Sequence, residues 1–295
     1  MAAKFEFVVL YEPKNFDADV LVDIVFVHGI LGDYESTWTH QESKILWPRD
    51  LLPIDFPRAR IASLNYSPNF DDFFPAESAV GATSGLDRLS SGLCEALERF
   101  RQTAPKATNR PIILVAHSLG GLICTKAILE TPVEGLAGVI FFGTPFVQEP
   151  EEWRPLASRF AKLVGLDDCG TLPESALTSL VDIVDDFESM IEREILDPSG
   201  LLFLSETEIC KPLEGPVLEG GDAVPFGDIG DSVEEAGVDH ISISRFDTPD
   251  REGYSMVLRK LIQITRGSQR PSELIDVTWT PWMKRVRARE PRFAL

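Results

Sequence analysis

Among the side chains that could do covalent chemistry, Ser118 has the most telling setting. It stands in "ILVAHSLGGLICTKAIL" (113–129), where an apolar strand-like run meets a helical pattern with almost no loop between them. A serine at such a join is raised on a sharp, strained turn, and the residues two positions to either side must be small for the turn to close. Ala116 and Gly120 hold those positions. The usual pattern is Gly-x-Ser-x-Gly, from which Ala116 departs by one methyl group. The helix that follows directs its N-terminal dipole at the anionic states of acyl transfer, so the chemistry expected of Ser118 is nucleophilic attack.

A serine needs a base, and the chain has four histidines. His117 adjoins Ser118 on the strand and should point away from it. His40 lies in an early loop between tryptophans, and His28 begins a His-Gly pair at a strand end. His240, in "GVDHISISRF", follows every predicted parallel strand and precedes the last helix, where the chain order Ser, acid, His puts the base. The acid must orient the other imidazole nitrogen from a strand's carboxyl end between Ser118 and His240. Glu206, closing "LLFLSE", fits best; Glu208, Asp222, Asp228 and Asp231 remain open as alternatives. In "VHGILGD" a tight loop follows a strand, which aims the backbone N–H of Ile30 or Leu31 at a substrate oxyanion beside that of Leu119.

These residues need a scaffold. Short runs rich in Val, Ile and Phe recur at 22–29, 59–66, 111–118, 136–143 and 201–206, and "FEFVVLYEP" reads as an edge strand. Helical periodicity fills the intervals, as in "LDRLSSGLCEALERF", which predicts a mostly parallel sheet flanked by helices, an α/β class. Two consecutive helical segments in 151–197 form an insertion, either a cap over the sheet's carboxyl edge or ordinary crossover helices. The Gly-, Pro- and acid-rich stretch 211–238 reads as a long loop with one short strand. Thr248 and Pro249 have the form of an N-cap and first residue opening a final helix through "YSMVLRKLIQITR". This organises the chain as a domain over 1–269 and a tail over 270–295, in which Trp279 and Trp282 accompany a basic cluster and either pack on the body or dock elsewhere.

Bulk properties narrow the partners. A formal net charge of −19 repels phosphate backbones, so nucleic acid is not expected. Cys94, Cys124, Cys169 and Cys210 lack Cys-x-x-Cys spacing and neighbouring histidines, so neither a metal nor a cofactor is expected, and they read as reduced, mostly buried thiols. With no signal-like or membrane-spanning run, a cytoplasmic setting is the simplest expectation.

Several stretches also match a family. "VLYEP", "VDIVFVHGILGDYESTWTH", "WPRDLLPIDFPRARIASLNY", "ILVAHSLGGLICTKAI", "GVIFFGTPF" and "DHISISRF" resemble, in that order, the α/β-hydrolases related to serine active site-containing protein and the GPI inositol deacylases, a module also used by fungal relatives. The similarity runs from about Phe5 to Thr265. It implies an α/β-hydrolase fold and a serine esterase or lipase-like activity on an ester or thioester, small-molecule or lipid, with Ser118 as nucleophile, His240 as base and the acid after the strand ending at Glu206. Phe146 stands where many relatives carry histidine after Gly-Thr-Pro, which makes it a residue of the substrate pocket wall. An acyltransferase would use the same residues, a binding or signalling module could keep the fold without turnover, and the insertion and tail raise contact with a membrane surface.

Overall fold

The five apolar runs all form strands, and they lie side by side. A computed structural model of the chain describes residues 5–14, 20–30, 32–76, 84–103, 110–131, 133–219, 221–223 and 230–267. The strands are β1 (Glu6–Tyr11), β2 (Val22–Val27), β3 (Ala59–Asn65), β4 (Ile112–His117), β5 (Leu136–Phe142), β6 (Leu201–Glu206) and β7 (Asp231–Glu235). They join in one sheet in the order β1-β3-β2-β4-β5-β6-β7, parallel except for β1, the expected edge strand.

Near-continuous apolar strands require cover on both faces, and the alternation of side chains supplies it. Val25, Leu114, Ala116, Phe141 and Phe203 belong to one buried cluster, while Ile24, Phe26, Val115, Ile140 and Leu204 belong to the other. The first face is covered by α1 (Gly85–Gln102) and α2 (Gly120–Glu130). In α1, Leu86, Leu89, Leu93, Ala96, Leu97 and Phe100 form the buried stripe, and the Ser84 hydroxyl caps the helix by accepting from the Asp87 amide.

The insertion forms two helices, α3 (Pro150–Leu163) and α4 (Glu174–Glu192). α4 is a crossover helix: it packs on α2 and stacks Phe187 against Phe146, with Phe141 of the sheet edge-on beneath. α3 lies over the carboxyl edge, where Phe160 meets both Phe74 and His240.

The last helix, α5 (Glu252–Gly267), covers the second face with Tyr254, Val257, Leu258 and Leu261. Its start corrects the expectation that Thr248 is the cap. Thr248 instead accepts from the Asp250 amide at 3.3 Å in a preceding turn. The helix opens at Glu252, where the buried carboxylate of Glu235 on β7 lies against Gly253 and accepts from Arg251 at 3.2 Å, long-range contacts that a local cap signal does not carry.

At the amino ends of the strands, Asp23 is fully buried and takes two bonds from Arg60, at 2.7 and 3.1 Å, and one from Arg110 at 3.1 Å. The Arg60 guanidinium also lies 3.6 Å from the centre of the Phe100 ring. This charged cluster ties β2, β3 and α1 together at the end of the sheet away from Ser118. Among the described residues no helix is long and apolar enough to cross a membrane, and no group of three or more His, Cys, Asp or Glu side chains could hold a metal ion. The tail with Trp279 and Trp282, together with Leu31 and Asp228, lies outside the described residues.

Candidate active site

Parallel strands deliver their chemistry at the carboxyl edge, and β4, β5 and β6 end there in register. His117 pairs with Phe142 and Phe142 with Leu204, so Ser118, Gly143 and Glu206 emerge from three adjacent strands. Ser118 has φ +56°, the left-handed conformation that L-residues avoid. Its amide donates to Phe142 O at 2.8 Å, and its carbonyl accepts from Gly121 N at 2.9 Å and from the Thr144 hydroxyl at 3.0 Å. The strained residue is therefore fixed from both sides. A Cβ on Gly120 would collide with the His28 carbonyl, and one on Gly121 with Thr144, which is why glycines follow Leu119. Ala116 is fully buried in the sheet, where its methyl group is core packing.

The Ser118 hydroxyl lies 2.7 Å from His240 Nε2, and His240 Nδ1 lies 2.9 Å from Glu206 Oε1. Glu206 Oε1 also accepts from the Leu218 amide at 3.1 Å. A carboxylate only accepts, so Nδ1 carries the proton and Nε2 is left to accept from the serine. All three side chains are buried, with 3%, 1% and 6% of Ser118, His240 and Glu206 exposed. Burial alone would raise the Glu206 pKa. The adjacent His240 and the Leu218 N–H outweigh it and hold the carboxyl below its ordinary value.

Gly143 completes this arrangement, though its chemistry is not evident in the sequence. At φ +53°, a Cβ there would come within 3.0 Å of Glu206 Oε2 and 3.1 Å of His240 Nδ1. The available signal was a glycine closing an apolar strand, and only the packing reveals what it makes room for.

The other carboxylates lie elsewhere. Glu208 is exposed, Asp222 accepts from the Glu219 amide at 3.0 Å, and Asp231 pairs with Lys260 at 2.7 Å. His40 bonds Ser43. His117 does point away from Ser118, and its Nε2–H donates to the His240 carbonyl at 2.7 Å. Burial lowers its pKa to about 3, and burial lowers that of His28 to about 4, so both are neutral at pH 7.

His28 Nδ1–H donates to the Gly29 carbonyl at 2.8 Å, and the Tyr66 hydroxyl donates to the His28 carbonyl. In a trans peptide the carbonyl and N–H point oppositely, so these bonds turn the Ile30 N–H away from His28. Gly29 packs directly on Ser118, since a Cβ there would lie 2.8 Å from the serine Cβ. Leu119 is the N-cap residue of α2, where helical N–H groups lack intrahelical partners. Phe146 is 4% exposed and sits among Phe141, Phe187 and Phe203, beneath α4.

Residues 24–252 match the sequence model of the alpha/beta hydrolase family. The chain belongs to that family. Its fold is also that of the mature Bacillus licheniformis lipase BlEst2, with a TM-score of 0.51 and 15% identity over 88% of this chain and 97% of the lipase. Two relatives of this alpha/beta hydrolase are more distant in length. Human Protein SERAC1 is 26% identical over 162 residues, covering 46% of this chain and 23% of SERAC1. The GPI inositol-deacylase of Candida albicans is 27% identical over 150 residues, covering 49% of this chain and 36% of the deacylase. The chain thus spans roughly a quarter to a third of the length of these curated relatives.

Proposed function

We propose that this alpha/beta hydrolase is a serine hydrolase cleaving a carboxylic ester or thioester, with Ser118 as nucleophile, His240 as general base and acid, and Glu206 as the orienting acid. The observation that carries the reading is the unbroken hydrogen-bonded line from Ser118 Oγ through His240 to Glu206, buried at the ends of adjacent strands. A relative whose name describes a deacylase points to the same class of reaction.

In the first half-reaction Ser118 Oγ bonds to the substrate carbonyl carbon, its proton passes to His240 Nε2, and the carbonyl electron pair moves onto oxygen. The backbone N–H groups of Ile30 and Leu119 receive that oxyanion, each donor worth about 3 kcal/mol in the transition state. Glu206, held ionised, stabilises the imidazolium through Nδ1–H. Collapse of the tetrahedral intermediate breaks the bond to the leaving alcohol or thiol, which takes the proton from His240. Water then repeats the sequence on the acyl-enzyme, releasing the acid and restoring Ser118. Phe160, edge-on to His240, and Phe74 behind it give the reacting centre an apolar wall, with Phe146 proposed as a further wall residue, for a small-molecule or lipid acyl group that enters as α3 moves, with no cofactor required.

The test is labelling of the full chain with a fluorophosphonate probe, with mapping of the modified peptide, followed by an ester and thioester panel of varied chain length. Ser118→Ala should abolish labelling. Persistent labelling of that variant would overturn the assignment, and an unreactive, folded wild type would favour a fold retained for binding. Product analysis with added alcohols or amines separates hydrolysis from acyl transfer.

A further inference from the structure

We infer that Arg159 is a positioning residue for the triad acid, so that α3, besides covering the site, supports the reaction while it is seated; the inference rests on the hydrolase reading above. Two adjacent residues of α3 make the connection. Phe160, fully buried, stands edge-on to the His240 imidazole with ring centres 5.7 Å apart. Arg159 reaches sideways, donating from Nη1 to the Val217 carbonyl at 3.0 Å and from Nη2 to the Glu219 carboxylate. Val217 and Glu219 flank Leu218, whose amide donates to Glu206 Oε1. The guanidinium therefore grips the chain on both sides of a backbone N–H that steadies the acid.

The chemistry of each group fits this role. Arginine presents its N–H donors in a rigid planar fork, so one side chain can hold a carbonyl and a carboxylate at a fixed spacing, which a lysine cannot reproduce. The far side of the same segment is anchored independently: the Glu219 amide donates to Asp222, and the Asp222 carbonyl accepts from Phe146 at 2.7 Å. Arg159 supplies the tie to α3. Glu206 depends on that tie because its other oxygen, Oε2, is buried and accepts no hydrogen bond from any described residue. Loosening 217–219 withdraws a donor from a carboxylate that has few, and weakens its hold on the imidazolium. Lifting α3 would thus disturb the acid as well as open the site, and the competent state is the covered one.

The experiment compares Arg159→Gln, Arg159→Lys and Glu219→Gln with wild type in the full chain, with Glu174→Gln as control because it removes the exposed pair that Arg154 of the same helix makes with the first residue of α4. Two measurements are made on each: the rate of fluorophosphonate labelling at Ser118 between about pH 4 and 8, and hydrogen exchange of the 217–219 amides. Arg159→Gln should label about tenfold more slowly, with its acidic limb moved to lower pH, because the imidazolium is held less firmly, and faster exchange at 217–219. Arg159→Lys should fall between it and wild type, Glu219→Gln should shift the same way by less, and Glu174→Gln should match wild type. A folded Arg159→Gln with the wild-type rate and acidic limb overturns the inference. Should that variant fail to fold, a wild-type limb in Glu219→Gln overturns it instead. If wild type itself is not labelled at Ser118, the hydrolase reading falls; exchange at 217–219 then decides the positioning claim by itself, unchanged protection in Arg159→Gln refuting it.

Discussion

Gly143→Ala separates backbone strain from chemistry, because the chain contains its own control. Gly143 and Gly165 both have left-handed backbone, φ +53° and +81°. An alanine in that region costs about 1–2 kcal/mol, so either substitution should lower Tm by roughly 2–8 °C in a domain of this size. At Gly165 the added methyl meets nothing within 4 Å. At Gly143 it would sit 3.0 Å from Glu206 Oε2 and 3.1 Å from His240 Nδ1, tighter than an ordinary carbon contact, and both neighbours are buried. The His240–Glu206 pair must therefore shift by some tenths of an ångström, displacing Nε2 from the serine. A displacement of about 1 Å in a reacting constellation costs about 100-fold in rate, so one of some tenths should cost roughly tenfold, about 1.4 kcal/mol of barrier. The assay is kcat on a chromogenic ester together with thermal unfolding of both variants. A Tm loss in both variants, the larger in Gly143→Ala because of its added crowding, with kcat reduced only there, is expected; equal kcat losses in the two, or none in either, would refute the reasoning.

Stability should fall steeply on acidification. His28 and His117 are buried with pKa values depressed to about 4 and about 3, so the unfolded chain binds more protons than the folded one as pH drops below the ordinary histidine value of 6.5. Each contributes stability that is complete above about pH 6.5 and is lost at roughly 1.4 kcal/mol per pH unit down to its folded pKa; denaturant melts from pH 7 to 5 should show it, with a shallower slope in His117→Asn. Asp23→Ala should cost about 3–5 kcal/mol by leaving Arg60 and Arg110 buried without their shared carboxylate, read as a lower denaturant midpoint with an unchanged slope. Little change in midpoint would mean the cluster is solvated more than its burial suggests.

What the sequence revealed follows the range of the interactions involved. The strands and the turn at Ser118 were legible because apolar runs and small neighbours are local signals. The choice of Glu206 over Glu208, Asp222, Asp228 and Asp231 was only a preference for a strand end, since proximity to His240 depends on how far apart β4 and β6 lie. The cap and crossover readings of 151–197 could not be separated, because an amphipathic pattern gives a buried face but not the surface it meets. Thr248 carries a local cap signal, yet the helix opens only at Glu252, and neither Leu218 nor Arg159 belongs to a residue pattern with chemical meaning. Their importance comes from what stands across from them.

The sheet itself acts as a ruler. Two inter-strand spacings, about 9.5 Å, separate the backbones that carry Ser118 and Glu206, a gap that one imidazole with a hydrogen bond at each end can bridge. That gap is set by main-chain pairing, which is indifferent to the loops on either side. Pocket walls that make no contact with His240 or with the 217–219 segment can therefore be exchanged over evolution, or by an engineer, without respacing Ser118 and Glu206, and a change of acyl preference made there requires new walls rather than a new machine.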